Sequence, residues 1–168
     1  MIKEIIQEAI NRQIVREMYS SNLYLAMAAY YASINLNGFA NWMHVQAEEE
    51  TQHALKFYDY LIDRGGQVKI GRIEAPPSQW DSPLHAFQNA LEHEQKVTQW
   101  IYELADLAID ERDHATSSLL QWFIDEQVEE EATTGEMVDR LKLAGDSKGG
   151  LFMLDNELKQ RNKVVISK

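Results

Sequence analysis

The chain has no cysteine among its 168 residues. Disulfides, zinc–thiolate sites, iron–sulfur clusters and cysteine nucleophiles are therefore excluded. Basic charge is scarce as well. Sixteen Lys and Arg stand against 27 Asp and Glu, for a net charge of -11. Nucleic-acid binders need a basic stripe, so a nucleic-acid partner is not expected. Long apolar runs are missing too. The longest spans Leu23 to Ala32, about half the ~20 residues that cross a bilayer. The N-terminus, MIKEIIQEAI, alternates charged and apolar residues and has no signal-peptide block. No membrane partner is expected, and a cytoplasmic location is the default.

Proline and glycine are few and grouped. The three prolines stand at 76, 77 and 83, and glycines cluster at 65–71 and 145–150. The stretches between are free of breakers and rich in helix formers. An all-α chain is expected, with helices over 3–36, 39–64, 83–111, 114–144 and a short fifth at 150–161. A single domain over 1–168 fits this length. Asn37-Gly38 reads as a tight turn between the first two helices, and the third and fourth join around Glu111 to His114. Between helices two and three lie 18 residues, Gly65 to Ser82. A helix of ~26 residues is ~39 Å long, and 18 extended residues reach ~60 Å. The segment can thus span the bundle and start helix three at the opposite end. That gives an up-down-down-up four-helix bundle with one long crossover.

Each long helix carries an inward stripe at three- and four-residue steps. The four stripes centre on Glu17, on Gln46, Glu50 and His53, on Glu94, and on Gln127 and Glu130, and none of them includes Lys or Arg. Buried carboxylates without a cation cost several kcal/mol each or take up a proton. Two divalent ions balance four carboxylates. The spacing supports this reading. Glu17 to Glu50 and Glu94 to Gln127 are both 33 residues; Glu50 to His53 and Gln127 to Glu130 are both 3. Adding 77 to Glu17, Glu49, Glu50 and His53 gives Glu94, Glu126, Gln127 and Glu130. Two similar helix pairs therefore bring these groups to one level of the core. Carboxylates with imidazole and no sulfur suit iron or manganese. Leu23, Met27 and Tyr30 fall off the first stripe, which predicts subunit contacts. His44, His85, His93 and His114 lack ligand spacing and are expected on the surface. Trp122 is expected to be packing.

Glu17, Tyr24, Glu50-x-x-His53, Glu94, Gln127 and Glu130 resemble the ferroxidase pattern of ferritins, across essentially the whole chain. The string Glu126-Gln127-Val128-Glu129-Glu130 and the lack of cysteine look like the bacterial non-haem branch. The resemblance implies iron storage and detoxification, with Fe(II) oxidised by O2 or peroxide at a di-iron centre. The first iron would lie on Glu17, Glu50 and His53. The second, bridged by Glu50, would lie on Glu94 and Glu130 with Gln127 close by. Glu49, Glu126 and Glu129, sharing Glu130, would form a third site, and Tyr24 would stand beside the centre. It also implies a homo-oligomeric shell of 24 subunits with ferric mineral inside. Bacterioferritins place a haem-ligating methionine where this chain has Thr51, so no haem is expected. Animal ferritins line a channel with carboxylates where this chain has Ser117 and Leu120, so that route for iron is not implied. The competing reading is a di-iron or di-manganese oxidoreductase acting on another substrate.

Overall fold

The computed structural model describes residues 2–162. Residue 1 and residues 163–168, the ends of the expected 1–168 domain, lie outside the described residues. Five helices follow in order: α1 Glu4–Ser33, α2 Asn37–Asp63, α3 Pro83–Asp110, α4 His114–Ala144 and α5 Lys148–Leu158. Local chemistry sets their starts. Ser82 accepts from the His85 N–H with Pro83 in the first helical position, Asp113 accepts from the Thr116 N–H, and Ser147 accepts from the Gly150 N–H. Side-chain oxygens at these positions satisfy N–H groups that have no partner within the helix.

The turn between α1 and α2 differs from expectation. It is made by Ile34, Asn35 and Leu36, with Asn35 at φ 61°, and Asn37-Gly38 already belongs to α2. An asparagine can adopt the left-handed conformation because its short polar side chain tolerates it. Gly38 serves a different need. A Cβ there would meet the Asp155 carbonyl oxygen at 1.6 Å, so the missing side chain lets α5 dock on α2. Asp155 Oδ1 accepts from the N–H groups of Gly38 (2.7 Å) and Phe39 (3.2 Å), capping α2 from another helix.

The core falls into two apolar clusters. One joins Tyr24, Met27 and Tyr31 to Phe39, Met43, Phe87, Met137 and Leu154. The other joins Ile6, Ile10 and Ile14 to Phe57, Leu61, Ile101, Leu120 and Phe123. The end of α1, the starts of α2 and α3, and the end of α4 thus share one end of the bundle. Helices α2 and α3 are parallel, and the order is up-down-down-up as expected. Residues 64–82 run the length of the bundle along α1. Asn11 fixes this segment, donating to the Gln67 carbonyl and accepting from the Lys69 N–H at 2.9 and 2.7 Å.

This crossover corrects one expectation. Leu23 and Met27 are buried within the chain, and Tyr30 packs edge-on against Trp80, ring centres 5.4 Å apart. Leu23 and Met27 are thus covered within the chain itself, and Tyr30 is half-buried against Trp80 of the crossover. No helix among the described residues is long and apolar enough to cross a membrane.

Candidate metal centre

Between the two apolar clusters lies a polar layer. Glu17, Gln46, Glu50, His53, Glu94, Gln127 and Glu130 are all buried there. Helices α1 and α3 run close together at this level. The opposite pair, α2 and α4, is wider, and side chains bridge the gap: Gln46 Nε2 donates to Glu130 Oε2 at 2.7 Å, and Phe57 stacks on Phe123 with centroids 3.9 Å apart.

Three groups of side chains in this layer could hold a metal ion: Glu17 with Glu50 and His53, Glu50 with Glu94 and Glu130, and His53 with Glu126 and Glu130. Within each group the potential ligand atoms lie within 4.8 Å of one another. Glu50 is common to the first two and stands between them. Glu17 Oε2 and His53 Nε2 are buried with no hydrogen-bond partner among the described residues. Such orphans are costly unless something else engages them.

The carboxylates are served by neutral donors. Gln13 Nε2 donates to Glu17 Oε1 at 2.7 Å, and Tyr24 donates its hydroxyl to Glu94. Gln46 Nε2 also donates to Glu50 at 3.2 Å, and Gln127 Nε2 donates to Glu94 at 3.3 Å. Amides and a phenol orient these acids without neutralising them. Burial, reinforced by the other acids, therefore raises the Glu17 pKa to about 8. Burial raises Glu50 to about 7, and burial followed by the Glu50 charge raises Glu94 to about 8. Glu130 is raised well above the ordinary carboxylate value for the same reasons. Burial, then the charge of Glu94, also holds the Tyr24 phenol well above its usual range.

The histidine of the layer has two unlike sides. His53 Nδ1 lies 3.3 Å from Glu50 Oε2, while Nε2 is 3.9 Å from Glu126 Oε1. A metal-ligating imidazole commonly turns its second nitrogen to a carboxylate, which fixes the tautomer. Glu126 is placed for that part. Trp122 packs edge-on against the His53 ring at 5.6 Å, in keeping with packing.

Two expected third-site residues stand apart. Glu129 is exposed, and neither it nor Glu49 belongs to the three groups above. Glu49 is turned to Arg161, whose Nη2 lies 2.8 Å from Glu49 Oε2. The same nitrogen donates to Gln46 Oε1 at 3.0 Å. Arg161 lies beyond α5, on no stripe of the four long helices, and no local sequence pattern marks it. Gln46 is legible as an inward residue but not as the donor that joins Glu50 to Glu130.

His93 corrects a second expectation. It is buried rather than on the surface, with Nε2 2.8 Å from Ser20 Oγ on α1. Burial lowers its pKa to about 4, with Lys96 adding to the effect. His44, His85 and His114 are exposed as expected.

A carboxylate-and-histidine layer with a shared glutamate, inside an up-down-down-up bundle with one long crossover, defines the class of ferritin-like metal carboxylate proteins. The chain belongs to the ferritin family. The Ferritin-like domain model matches residues 7–144. The chain is 47% identical to a bacterial non-heme ferritin of Bacteroides fragilis over 161 residues, covering 96% of this chain and 100% of that one. An open pore ferritin from the hyperthermophilic archaeon Archaeoglobus fulgidus superimposes with a TM-score of 0.95 at 51% identity, over 96% of this chain and 99% of that one. A form of the same archaeal ferritin engineered closed by mutagenesis gives a TM-score of 0.97 at 50% identity, over 98% and 100%. Iron storage is the function that this membership carries.

Proposed function

We propose that the chain, as one ferritin-like domain over 1–168, is the subunit of a cytoplasmic homo-oligomeric iron store and oxidises the iron it takes up. One observation carries this reading. Four glutamates and an imidazole meet in a buried layer between two apolar clusters, with one oxygen of Glu17 and one nitrogen of His53 unpartnered among the described residues. Two Fe(II) ions would offset the four carboxylate charges that burial otherwise disfavours.

In this reading Fe(II) is the substrate. Glu17, Glu50 and His53 hold one ion; Glu50, Glu94 and Glu130 hold the second, with Gln127 beside it. Each Fe(II) gives up one electron. One O2 accepts both electrons and two protons and leaves as hydrogen peroxide, and two Fe(III) remain. Carboxylates bind Fe(III) as well as Fe(II), and the oxygen chemistry belongs to the metal. The protein supplies ligands, spacing and charge. Entering Fe(II) displaces protons held on Glu17, Glu50 and Glu94. Glu49, Glu126 and Glu129, with Glu130 shared, are the carboxylates for a third ion, and 24 subunits the expected shell.

Anaerobic Fe(II) titration followed by exposure to O2 tests this. The expected result is binding of two or more ions per chain and rapid oxidation, with oxidation abolished in Glu50→Ala and assembly retained. Failure to bind at that stoichiometry would overturn the reading.

A further inference from the structure

Past α5, the chain reaches the metal layer through the side chain of Arg161. This residue turns back onto α2. Its Nη1 donates to the Trp42 carbonyl at 3.1 Å, and its guanidinium carbon sits 4.3 Å over the Trp42 ring. Nη2 donates to Gln46 Oε1 at 3.0 Å and to Glu49 Oε2 at 2.8 Å. Its backbone is held separately, since the Asn41 side-chain amide donates to the carbonyls of both Leu158 and Arg161 at 3.1 Å. The Arg161 side chain is 20% exposed and that of Glu49 9%, so the pair is largely shielded from solvent.

Two consequences follow from the chemistry of a guanidinium, which donates and never accepts. The Gln46 oxygen must face Arg161, so the Gln46 amino group must face the acids. It does, donating to Glu50 and Glu130. Arg161 thereby positions a donor on two carboxylates of the metal layer without touching either. Its second effect is on Glu49. That carboxylate is near enough to His53 and Glu126 for their charges to act on it, yet its Oε2 is engaged by Arg161. On the same side of the layer, His53 Nε2 is buried, lacks a hydrogen bond among the described residues and lies 3.9 Å from Glu126.

We propose that Arg161 is a displaceable cation at the metal centre, holding Glu49 away from a third iron and so setting how much iron the centre keeps. The proposal rests on the reading of the polar layer as an iron site. A third divalent ion near Glu49 and Glu126 competes with the guanidinium for the same carboxylate and is repelled by its charge. While Arg161 is in place the centre favours two ions. Release of Arg161 frees Glu49 and admits a third. The C-terminal segment thus sets iron occupancy through a residue that is no ligand.

Co(II), which binds carboxylate and imidazole without reacting with O2 here, is the probe. It is titrated calorimetrically into the assembled, metal-free protein carrying Arg161, Arg161→Lys or Arg161→Gln. The expected result is a third Co(II) per chain bound roughly tenfold more tightly in Arg161→Gln, the effect of one charge-assisted hydrogen bond. Arg161→Lys keeps the charge but cannot fork onto Gln46 and Glu49 together, and falls between. Adding Glu49→Gln to Arg161→Gln should abolish the gain. Equal third-ion affinity across the three proteins would overturn the proposal while leaving two-ion binding intact. Absence of strong two-ion binding in the unaltered protein would instead overturn the iron reading beneath it. Should Arg161→Gln fail to assemble, the Lys variant against the parent decides, by whether its third ion binds more tightly.

Discussion

Tyr24 on α1 donates its hydroxyl to Glu94 on α3, a partner 70 residues away in sequence. The bond crosses the closer side of the bundle and is buried on both sides. It gives the second metal group a fixed carboxylate orientation, as Gln13 does for Glu17 in the first.

Tyr24→Phe should therefore weaken the second iron selectively. A hydrogen bond to a charged group contributes about 1.5–3 kcal/mol, so second-ion affinity should fall at least roughly tenfold. The first ion should change little. Calorimetric titration with Co(II) measures both steps in one experiment. Equal losses at both would show that the phenol supports the fold instead.

The metal-free protein should lose stability as pH rises from 6.5 to 8. Folded Glu17 and Glu94 titrate at about 8 and Glu50 at about 7, against 4.5 for each in the unfolded chain. In this window the folded chain binds more protons, so stability falls with increasing pH. His93 works the other way, at about 4 folded against 6.5 unfolded, and its loss of stability is confined to falling pH below 6.5. Thermal melts across this range, repeated for Glu17→Gln and for the Co(II)-loaded protein, check the sign. Both should flatten the decline, and a parent melt that rises with pH would refute it.

Gln127→Glu tests the half of the proposed centre where a neutral amide stands at the position that corresponds to Glu50 in the other helix pair. Gln127 Nε2 donates to Glu94 Oε2 at 3.3 Å and to Thr98 Oγ1 at 3.2 Å. A carboxylate there loses both donations, adds a charge and gives the second iron a firmer ligand. Ferric product should leave the centre more slowly, roughly tenfold for one charge-assisted contact. Regeneration of rapid oxidation after a first Fe(II) addition measures this, and unchanged recovery would show that Gln127 does not govern release.

Gly38→Ala should loosen α5 from α2. The Asp155 carbonyl stands 1.6 Å from where the new Cβ must go, and backbone cannot swing aside as a side chain can. The cost should be about 1–3 kcal/mol, as for other overpacked sites. Amide exchange should rise first in α5 and at the start of α2. A change no larger in α5 than in α4 would place the strain elsewhere.

Much of this was legible in the sequence because it depends on spacing along helices. The doubled steps of 33 and 3 put Glu17, Glu50, His53, Glu94, Gln127 and Glu130 at one level, since helical rise is uniform. Four features depend on contacts between distant segments. The turn lies at Asn35, and Gly38, the residue that reads as a turn signal, is instead where α5 comes close to α2. Leu23 and Met27 are buried within the chain, and Tyr30 meets Trp80 of a crossover whose path along α1 has no periodicity to read. His93 points about 100° from Glu94, and that direction meets Ser20 on α1 rather than solvent. Arg161 comes from outside the bundle, 112 residues from Glu49, and nothing local announces it.

The sandwiching of acids between two apolar clusters bears on how a new subunit matures. At neutral pH, protons sit on these buried acids, so a new polypeptide can close around the layer without waiting for a metal ion. Hydrogen ions act as ballast during construction. Under the proposed iron reading, loading would be an exchange in which each arriving ion evicts protons into the surrounding solvent, and scarcity of iron would leave a finished bundle instead of a misfolded one.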